Sequence, residues 1–289
     1  MALRRRSRPA GPTVALAGAG AIASVHALAA HAGGLRVVAV ASAGGSSARH
    51  LAGQVGAPRV PPAELPGGAD VLVVATPPES HASLALQGLA AGAAVLVEKP
   101  LATTLADADR LVDAAPDPAN PPLRRAENLL HAPAWRVVRD RRRHLGRLRH
   151  LSARTVQPPP TWGHFARPLE SGGVLFDLGP HPVALVLALA GEEPEGVTAT
   201  LSSSREDGAD DDARVGVRFP SGLVASIEVS WTAPEPEWSL QAAADDGVVR
   251  LELFPDVSVE ADGEPVPLAD RHAGAADPAL ERFGYVDQL

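Results

Sequence analysis

Short apolar runs and polar breaks alternate through the first third of the chain in the rhythm of strands and helices. Val14 to Ala17 reads as a short buried strand, Gly18-Ala19-Gly20 as a tight turn and Ala21 to His31 as a helix. Leu35 to Ala41 repeats the strand pattern and Ser46 to Val55 the helix. Asp70 to Ala75 and Ala93 to Val97 are continuous apolar runs of strand length, separated by a helical stretch from Ser80 to Ala91. Strands without polar alternation, each followed by a helix, predict a parallel sheet covered on both faces. Leu123 to Asn128 is the expected last strand, with Asn128 to His131 as its loop, and Ala132 to His144 a helix with Arg139 to Arg143 on its solvated face. The second half changes character. Leu148 to Val156, Val197 to Ser203, Ala213 to Phe219, Leu223 to Trp231, Trp238 to Ala243 and Val248 to Phe254 are strand-length runs separated by Pro and Gly turns, the pattern of an antiparallel sheet. Glu206 to Asp212 reads as a polar hairpin loop, and Pro278 to Leu289 as a closing helix.

These elements predict an α/β fold: a basic tail over residues 1–12, a parallel-sheet domain over 13–128, and a domain with an antiparallel sheet over 129–289. The 289 residues suffice for two such cores. Val14 to Ala30, apolar behind Arg4 to Arg6, superficially resembles a secretory signal, but the strand-turn-helix reading accounts for more residues. No later run reaches the span of about 20 apolar residues that a membrane helix needs, so no membrane partner is expected. With 26 basic against 34 acidic residues, a net charge of −8 and 3% aromatics, a nucleic-acid partner is disfavoured. The absence of cysteine excludes disulfides and thiolate chemistry and fits a cytoplasmic location. No pair of residues has convincing zinc-ligand spacing, so no metal is expected.

Three candidate strands end in loops that carry chemistry. Gly18-Ala19-Gly20-Ala21-Ile22-Ala23 is a GxGxxA form of the dinucleotide fingerprint. Gly18 permits the turn, Gly20 leaves room for a pyrophosphate at the helix start formed by Ala21 and Ile22, and Ala23 allows close packing of helix on strand. The next two loops are Thr76-Pro77-Pro78-Glu79-Ser80-His81 and Glu98-Lys99-Pro100, and in open α/β sheets ligands sit at such carboxyl ends. Lys99 is the chain's single lysine among 26 basic residues, the rest being arginine, which cannot release a proton near neutral pH. Further on, Asp177 precedes His181 by four residues, a spacing that lets an acid orient or charge-balance an imidazole if the segment is helical, although Pro180 and Pro182 suit a helix start better. His26, His31 and His50 read as packing or surface residues.

GAGAIA, ATPPESH, LVEKPLATT and GGVLFDLGPH, in this order, resemble the successive signatures of the glucose-fructose oxidoreductase and inositol dehydrogenase family, Gfo/Idh/MocA. The resemblance covers roughly Thr13 to Trp231, including Leu145-Gly146-Arg147-Leu148, which is similar to the family's entry into its second domain. It implies a Rossmann dinucleotide-binding domain over 13–128 followed by an α+β domain with a large, mostly antiparallel sheet over 129–289, and an oxidoreductase acting on a hydroxyl or keto carbon of a sugar, cyclitol or related metabolite with NAD or NADP. It implies further that Lys99 reaches the reacting oxygen, with Asp177 and His181 across the same cleft. His81 would lie near the nicotinamide, with Thr76, Pro77 and the Glu98-Lys99 segment beside the cofactor and the bond before Pro100 cis. Asn128, Trp162 and His164 are candidate substrate contacts. No acidic residue stands between the glycines and Glu64 to bind a ribose hydroxyl, so NADP is slightly favoured, with Ser42, Ser46 or Arg49 near the phosphate, although Ala43 stands where similar NADP users often carry Arg. The second-domain sheet is expected to leave an apolar face that drives homo-oligomer formation, as a dimer or tetramer. The chain stops earlier than family members generally do. A glycoside-cleaving enzyme that retains its nicotinamide, and a cofactor-binding protein without turnover, are the competing readings.

Overall fold

In a computed structural model, residues 11–115, 123–161, 163–167, 172–204, 206, 208–268 and 277–289 are described. They fall into two compact units that divide after Ala126.

In the first unit the apolar runs become β1 (Thr13–Ala17), β2 (Arg36–Ala41), β3 (Val71–Val74), β4 (Ala94–Val97) and β5 (Leu123–Arg125). They form one sheet in the order β2-β1-β3-β4-β5, every neighbouring pair parallel. A single parallel bridge between Val40 and Arg59 adds a rung outside β2, with Val60 N–H donating to Val40 O at 3.0 Å. Counting that rung, the order is the one typical of dinucleotide-binding folds. β5 ends at Arg125, before the Asn128 expected from the sequence.

Side chains of successive strand residues enter opposite cores. Val14, Leu16, Val40, Val73 and Leu96 pack with Ala23, Ala27 and Ala30 of α1 (Ala21–Ala32) and Leu51 of α2 (Gly45–Val55). Ala15, Ala17, Leu72, Val74, Val95 and Val97 pack with Ala85 and Leu89 of α3 (His81–Ala90) and Leu111 of α4 (Leu105–Ala114). That two-sided burial is why these strands lack polar alternation. Helix α4 was not anticipated, yet its signal is present: Thr104 Oγ1 accepts from Asp107 N–H at 3.1 Å and donates to its carboxylate at 3.0 Å, a capping arrangement.

The second unit holds α5 (Pro133–Arg142), β6 (Leu148–Val156), α6 (Gly173–Asp177), α7 (Pro180–Ala190), β7 (Gly196–Ser202), β8 (Asp212–Arg218), β9 (Val224–Ser230), β10 (Glu237–Ala244), β11 (Gly247–Phe254), β12 (Ser258–Ala261) and β13 (Glu264–Pro265). The sheet order is β13-β12-β11-β10-β6-β9-β8-β7, antiparallel throughout except for the β6–β9 pair. Helix α5 packs on β11 and β12, and α7 on β6 and β9, burying Trp135, Val138, Leu151, Leu185, Val186, Ile227, Leu240 and Leu251 in one core. The closing segment is not one helix. It breaks into α8 (Pro278–Arg282) and α9 (Tyr285–Gln288) around Gly284, whose φ is +79° and whose absent Cβ would lie 2.2 Å from Asn128 O.

The other face of this sheet is largely polar where an apolar one was expected, with Val224 and Val248 exposed on it. Cross-strand partners Ser239, Arg154, Glu228 and Arg214 share it, and Arg154 Nε lies 3.9 Å from Glu228 and 3.6 Å from Glu237. The strand alternation buries the apolar set against the helices and leaves the charged set outside, except on edge strand β7, where Val197 and Leu201 are exposed.

The acidic loop also carries more structure than a solvated hairpin. Asp211 is buried and accepts from the backbone and hydroxyl of Ser204. Asp210 Oδ2 accepts Leu175 N–H at 2.9 Å and its carbonyl accepts Val174 N–H at 2.9 Å, so it caps α6. Its Oδ1 lies 2.1 Å from where a Cβ of Gly173 would sit, and Gly173 has φ +79°. Asp210→Ala is expected to cost about 1–2 kcal/mol, whereas Glu206→Ala, exposed, stays within about 0.5 kcal/mol. Urea unfolding of both variants checks this, and equal effects contradict the capping role.

Candidate active site

β1 and β3 are neighbours whose following helices lie on opposite faces of the sheet, which opens a crevice at their carboxyl ends. Gly18 turns the chain there with φ +114°, and a Cβ on it would stand 2.1 Å from Ala75 O. Only glycine fits so close an approach. Gly20, at the start of α1, is different: its φ is −82° and a Cβ there would meet nothing within 4 Å. The first turn of α1 carries no side-chain cap and no acidic residue. An uncapped helix start behind a glycine cradle fits a pyrophosphate.

The loop after β3 is braced internally. Ser80 Oγ donates to Thr76 Oγ1 at 2.7 Å and to Pro77 O at 2.9 Å. His81 is 1% exposed, and its ring stands between two carbonyl oxygens, Nδ1 2.8 Å from Pro100 O and Nε2 2.8 Å from Thr76 O. It ties the β3 loop to the β4 loop.

At the end of β4, Lys99 is half-buried and its bond to Pro100 is cis. Glu98 is buried. Its Oε1 lies 2.7 Å from Nε2 of His26, a fully buried residue of α1, and its Oε2 accepts Lys99 N–H at 3.0 Å. Burial raises the Glu98 carboxyl, but the hydrogen bond and charge of His26, the charge of Lys99 and the Lys99 amide outweigh it and hold it below the usual carboxylate value. His26, read from sequence as packing or surface, is thus half of a buried hydrogen-bonded pair that ties the helix of the glycine turn to the backbone of Lys99. Glu98 and His26 stand 72 positions apart, and no local pattern signals the pairing.

The loop after β2 contains Ser42, whose hydroxyl accepts Gly44 N–H at 3.2 Å. The first turn of α2 holds no acid and no side-chain cap, and Arg59 Nη1 donates to Gly45 O at 3.4 Å. Arg59, beside β2 through its single bridge, is a cation at this loop that sequence reasoning passed over in favour of Arg49.

In the second unit, His181 follows Pro180 in the first turn of α7, and both His181 and Asp177, the last residue of α6, are buried. The carboxylate that meets Nδ1 of His181 is Glu127, at 2.7 Å, where Asp177 had been expected. The two-residue turn between α6 and α7 breaks the helical spacing on which that expectation rested. Trp238 lies against the imidazole with centroids 5.4 Å apart, and its Nε1 donates to Gln157 at 3.2 Å. Asn128 is buried and donates to Phe283 O at 2.8 Å, so its amide anchors the closing segment. His164 stands in a short turn edge-on to Phe165 at 5.2 Å. Trp162 lies outside the described residues. Among the described residues no group of three or more His, Asp or Glu side chains is placed to hold a metal, and no helix is long and apolar enough to cross a membrane.

A glycine turn at the switch point of a parallel sheet, followed by an α+β unit, defines the class of two-domain proteins built on a dinucleotide-binding Rossmann domain. Residues 13–120 match the family described as oxidoreductase family, NAD-binding Rossmann fold, and residues 139–250 match the GFO/IDH/MocA C-terminal domain. Inositol 2-dehydrogenase of Rhizobium meliloti (strain 1021) is 30% identical over 261 residues, 85% of this chain and 77% of the relative. The chain belongs to the Gfo/Idh/MocA family. 1,5-Anhydro-D-fructose reductase of Ensifer adhaerens is 33% identical over 194 residues, 64% of this chain and 58% of the relative, so the match spans less than two thirds of that enzyme. The structure of GenD2 from gentamicin A biosynthesis, solved in complex with NAD, superposes with TM-score 0.81 at 26% identity, covering 96% of this chain and 84% of that one.

Glu98 yields a pH prediction. Its carboxyl is depressed in the folded chain, so it stabilises the fold above the ordinary glutamate value of about 4.3, and that contribution is lost as pH falls further. Glu98→Ala, which leaves His26 buried without this partner, is expected to cost about 3 kcal/mol at neutral pH. In urea unfolding at several pH values, the gap between wild type and Glu98→Gln should narrow below about pH 4.3. A gap independent of pH contradicts an ionised Glu98.

Proposed function

We propose that the protein is an NAD(P)-dependent oxidoreductase that moves hydride between a nicotinamide and a hydroxyl or keto carbon of a sugar, cyclitol or related small metabolite. The observation that carries this reading is the glycine turn at β1, with its uncapped α1 start, on the same edge of the sheet as the β4 end that presents the chain's single lysine. Family membership supports the same chemistry, and the relatives named above are a dehydrogenase and a reductase of polyhydroxylated rings.

The backbone of Gly18, Gly20, Ala21 and Ile22 would hold the pyrophosphate, with Thr76 and Pro77 along the crevice. When bound, the nicotinamide supplies the hydride acceptor or donor. The chain's own residues handle the proton. Oxidation of a carbinol requires its hydroxyl proton to leave as the hydride leaves, and Lys99 and His181 are of types that accept and return protons, whereas arginine is not. We assign the two residues to one reaction, as the family resemblance implies. The Glu98–His26 pair fixes the backbone of Lys99, and His81 ties the loop that carries it to the loop after β3.

NADP belongs to the same proposal. The β2 loop lacks the acid that would bind a ribose hydroxyl and repel a 2′-phosphate, and it offers Ser42 and Arg59 instead. Arg59→Ala is expected to weaken NADPH at least tenfold in a fluorescence titration while NADH changes by less than twofold. Equal losses for both nucleotides contradict the assignment.

Turnover is tested by following nicotinamide absorbance over a panel of polyols, sugars and their keto forms. Lys99→Arg keeps the charge and removes the transferable proton, so kcat should fall by about 10² or more with little change in cofactor binding. His181→Ala should cost a similar factor, and the double variant should lose far less than the product of the two. A Lys99→Arg protein with wild-type kcat removes Lys99 from the mechanism.

A further inference from the structure

We propose that Glu127 is the positioning residue that gives His181 a single tautomer, with the proton on Nδ1, and so makes Nε2 its proton-transfer atom. The inference rests on the reading of His181 as a proton-handling group, and it gives the role expected of Asp177 to a residue 54 positions upstream.

The geometry fixes the ring in two ways. On one edge, Glu127 Oε1 is 2.7 Å from Nδ1, with the side chains of Glu127 and His181 only 3% and 10% exposed. On one face, the indole of Trp238 lies at 5.4 Å with an interplanar angle of 38°, itself held by Gln157 at 3.2 Å and backed by Phe254 at 5.3 Å. A carboxylate accepts and does not donate, so the nitrogen facing it must carry the hydrogen. The lone pair of the neutral ring then resides on Nε2, with no alternative tautomer competing at the buried edge. Glu127 is itself set by the turn it begins, where Leu130 N–H donates to its carbonyl at 3.1 Å and Asn128 is pinned to Phe283 O at 2.8 Å.

The chemical consequence balances without another reagent. As a carbinol is oxidised, its O–H proton goes to Nε2, the O–H electron pair becomes the second C–O bond, and the C–H electron pair leaves with hydrogen to the nicotinamide. The imidazolium keeps its Nδ1–H on Glu127, whose negative charge balances the new positive one, and reduction runs the same proton back. The arrangement has the logic of an acid–imidazole dyad, in which the acid orients the ring and stabilises its charged form without taking its proton.

The test reads the tautomer directly and does not depend on turnover. In protein with ¹⁵N-labelled histidine and no cofactor, two-bond and three-bond nitrogen–carbon-bound-proton correlations distinguish Nδ1–H from Nε2–H, and His181 is assigned by its loss in His181→Gln. The expected result is Nδ1–H in wild type and predominantly Nε2–H in Glu127→Ala. In turnover, Glu127→Ala should lose about 10²-fold or more in kcat, with KM and NAD(P)H affinity within about twofold. If Glu127→Ala does not fold, Glu127→Gln carries the test, because its amide donates as well as accepts and a mixture of tautomers should replace the single one. Nε2–H in wild type overturns the proposal, as does an unchanged tautomer in the Glu127 variant that folds. Wild-type kcat in His181→Ala instead overturns the role of His181, while the tautomer measurement still decides what Glu127 does.

Discussion

The structure turns on one close approach, the carbonyl of Ala75 standing 2.1 Å from where a side chain at position 18 would begin. β1 and β3 are brought together by apolar residues that leave no polar atom to bury, and their ends then meet too closely for any residue but glycine. That contact sends the chain sharply into α1 and leaves the helix start uncapped and open beside Gly20. The same crowding brings the ends of β1, β3 and β4 side by side, so the glycine turn, the Thr76 loop and Lys99 share one edge of the sheet.

Around that edge, buried histidines act as ties. His26 joins α1 to the end of β4 through Glu98, and His81 joins the loops after β3 and β4 through their carbonyl groups. Each engages groups that would otherwise be buried polar atoms, and each restrains a segment carrying a residue assigned to the reaction. His181 and Glu127 repeat the device in the second unit.

The parallel strands, the antiparallel runs and the glycine turn were legible because each rests on local pattern: continuous apolar residues where both faces are buried, alternation where one is, and glycine where a positive φ is required. β6 lies where its apolar positions place it, from Leu148 to Val156. The pairings Glu98–His26 and Glu127–His181 were not legible, since partners 72 and 54 residues apart leave no periodic trace. The Arg59 rung is a single bridged residue, too short for any pattern. Two misses had a signal. Thr104 with Asp107 is a capping motif that marks α4, and the spacing of Arg214, Glu228 and Arg154 along their strands already puts charge on the open face of the sheet.

The central claim is that a dinucleotide lies against the open start of α1, and Gly20→Val tests it most directly. The added side chain begins in space that no protein atom occupies and at a backbone conformation open to any residue, so the unliganded fold should lose at most about 1 kcal/mol. It fills the room needed by a pyrophosphate. Calorimetric titration with NADPH and NADH should show one saturable site in wild type and a loss of at least 10² in affinity for Gly20→Val, at nearly unchanged thermal stability without nucleotide. A Gly20→Val protein that binds either nucleotide as wild type does would contradict the account.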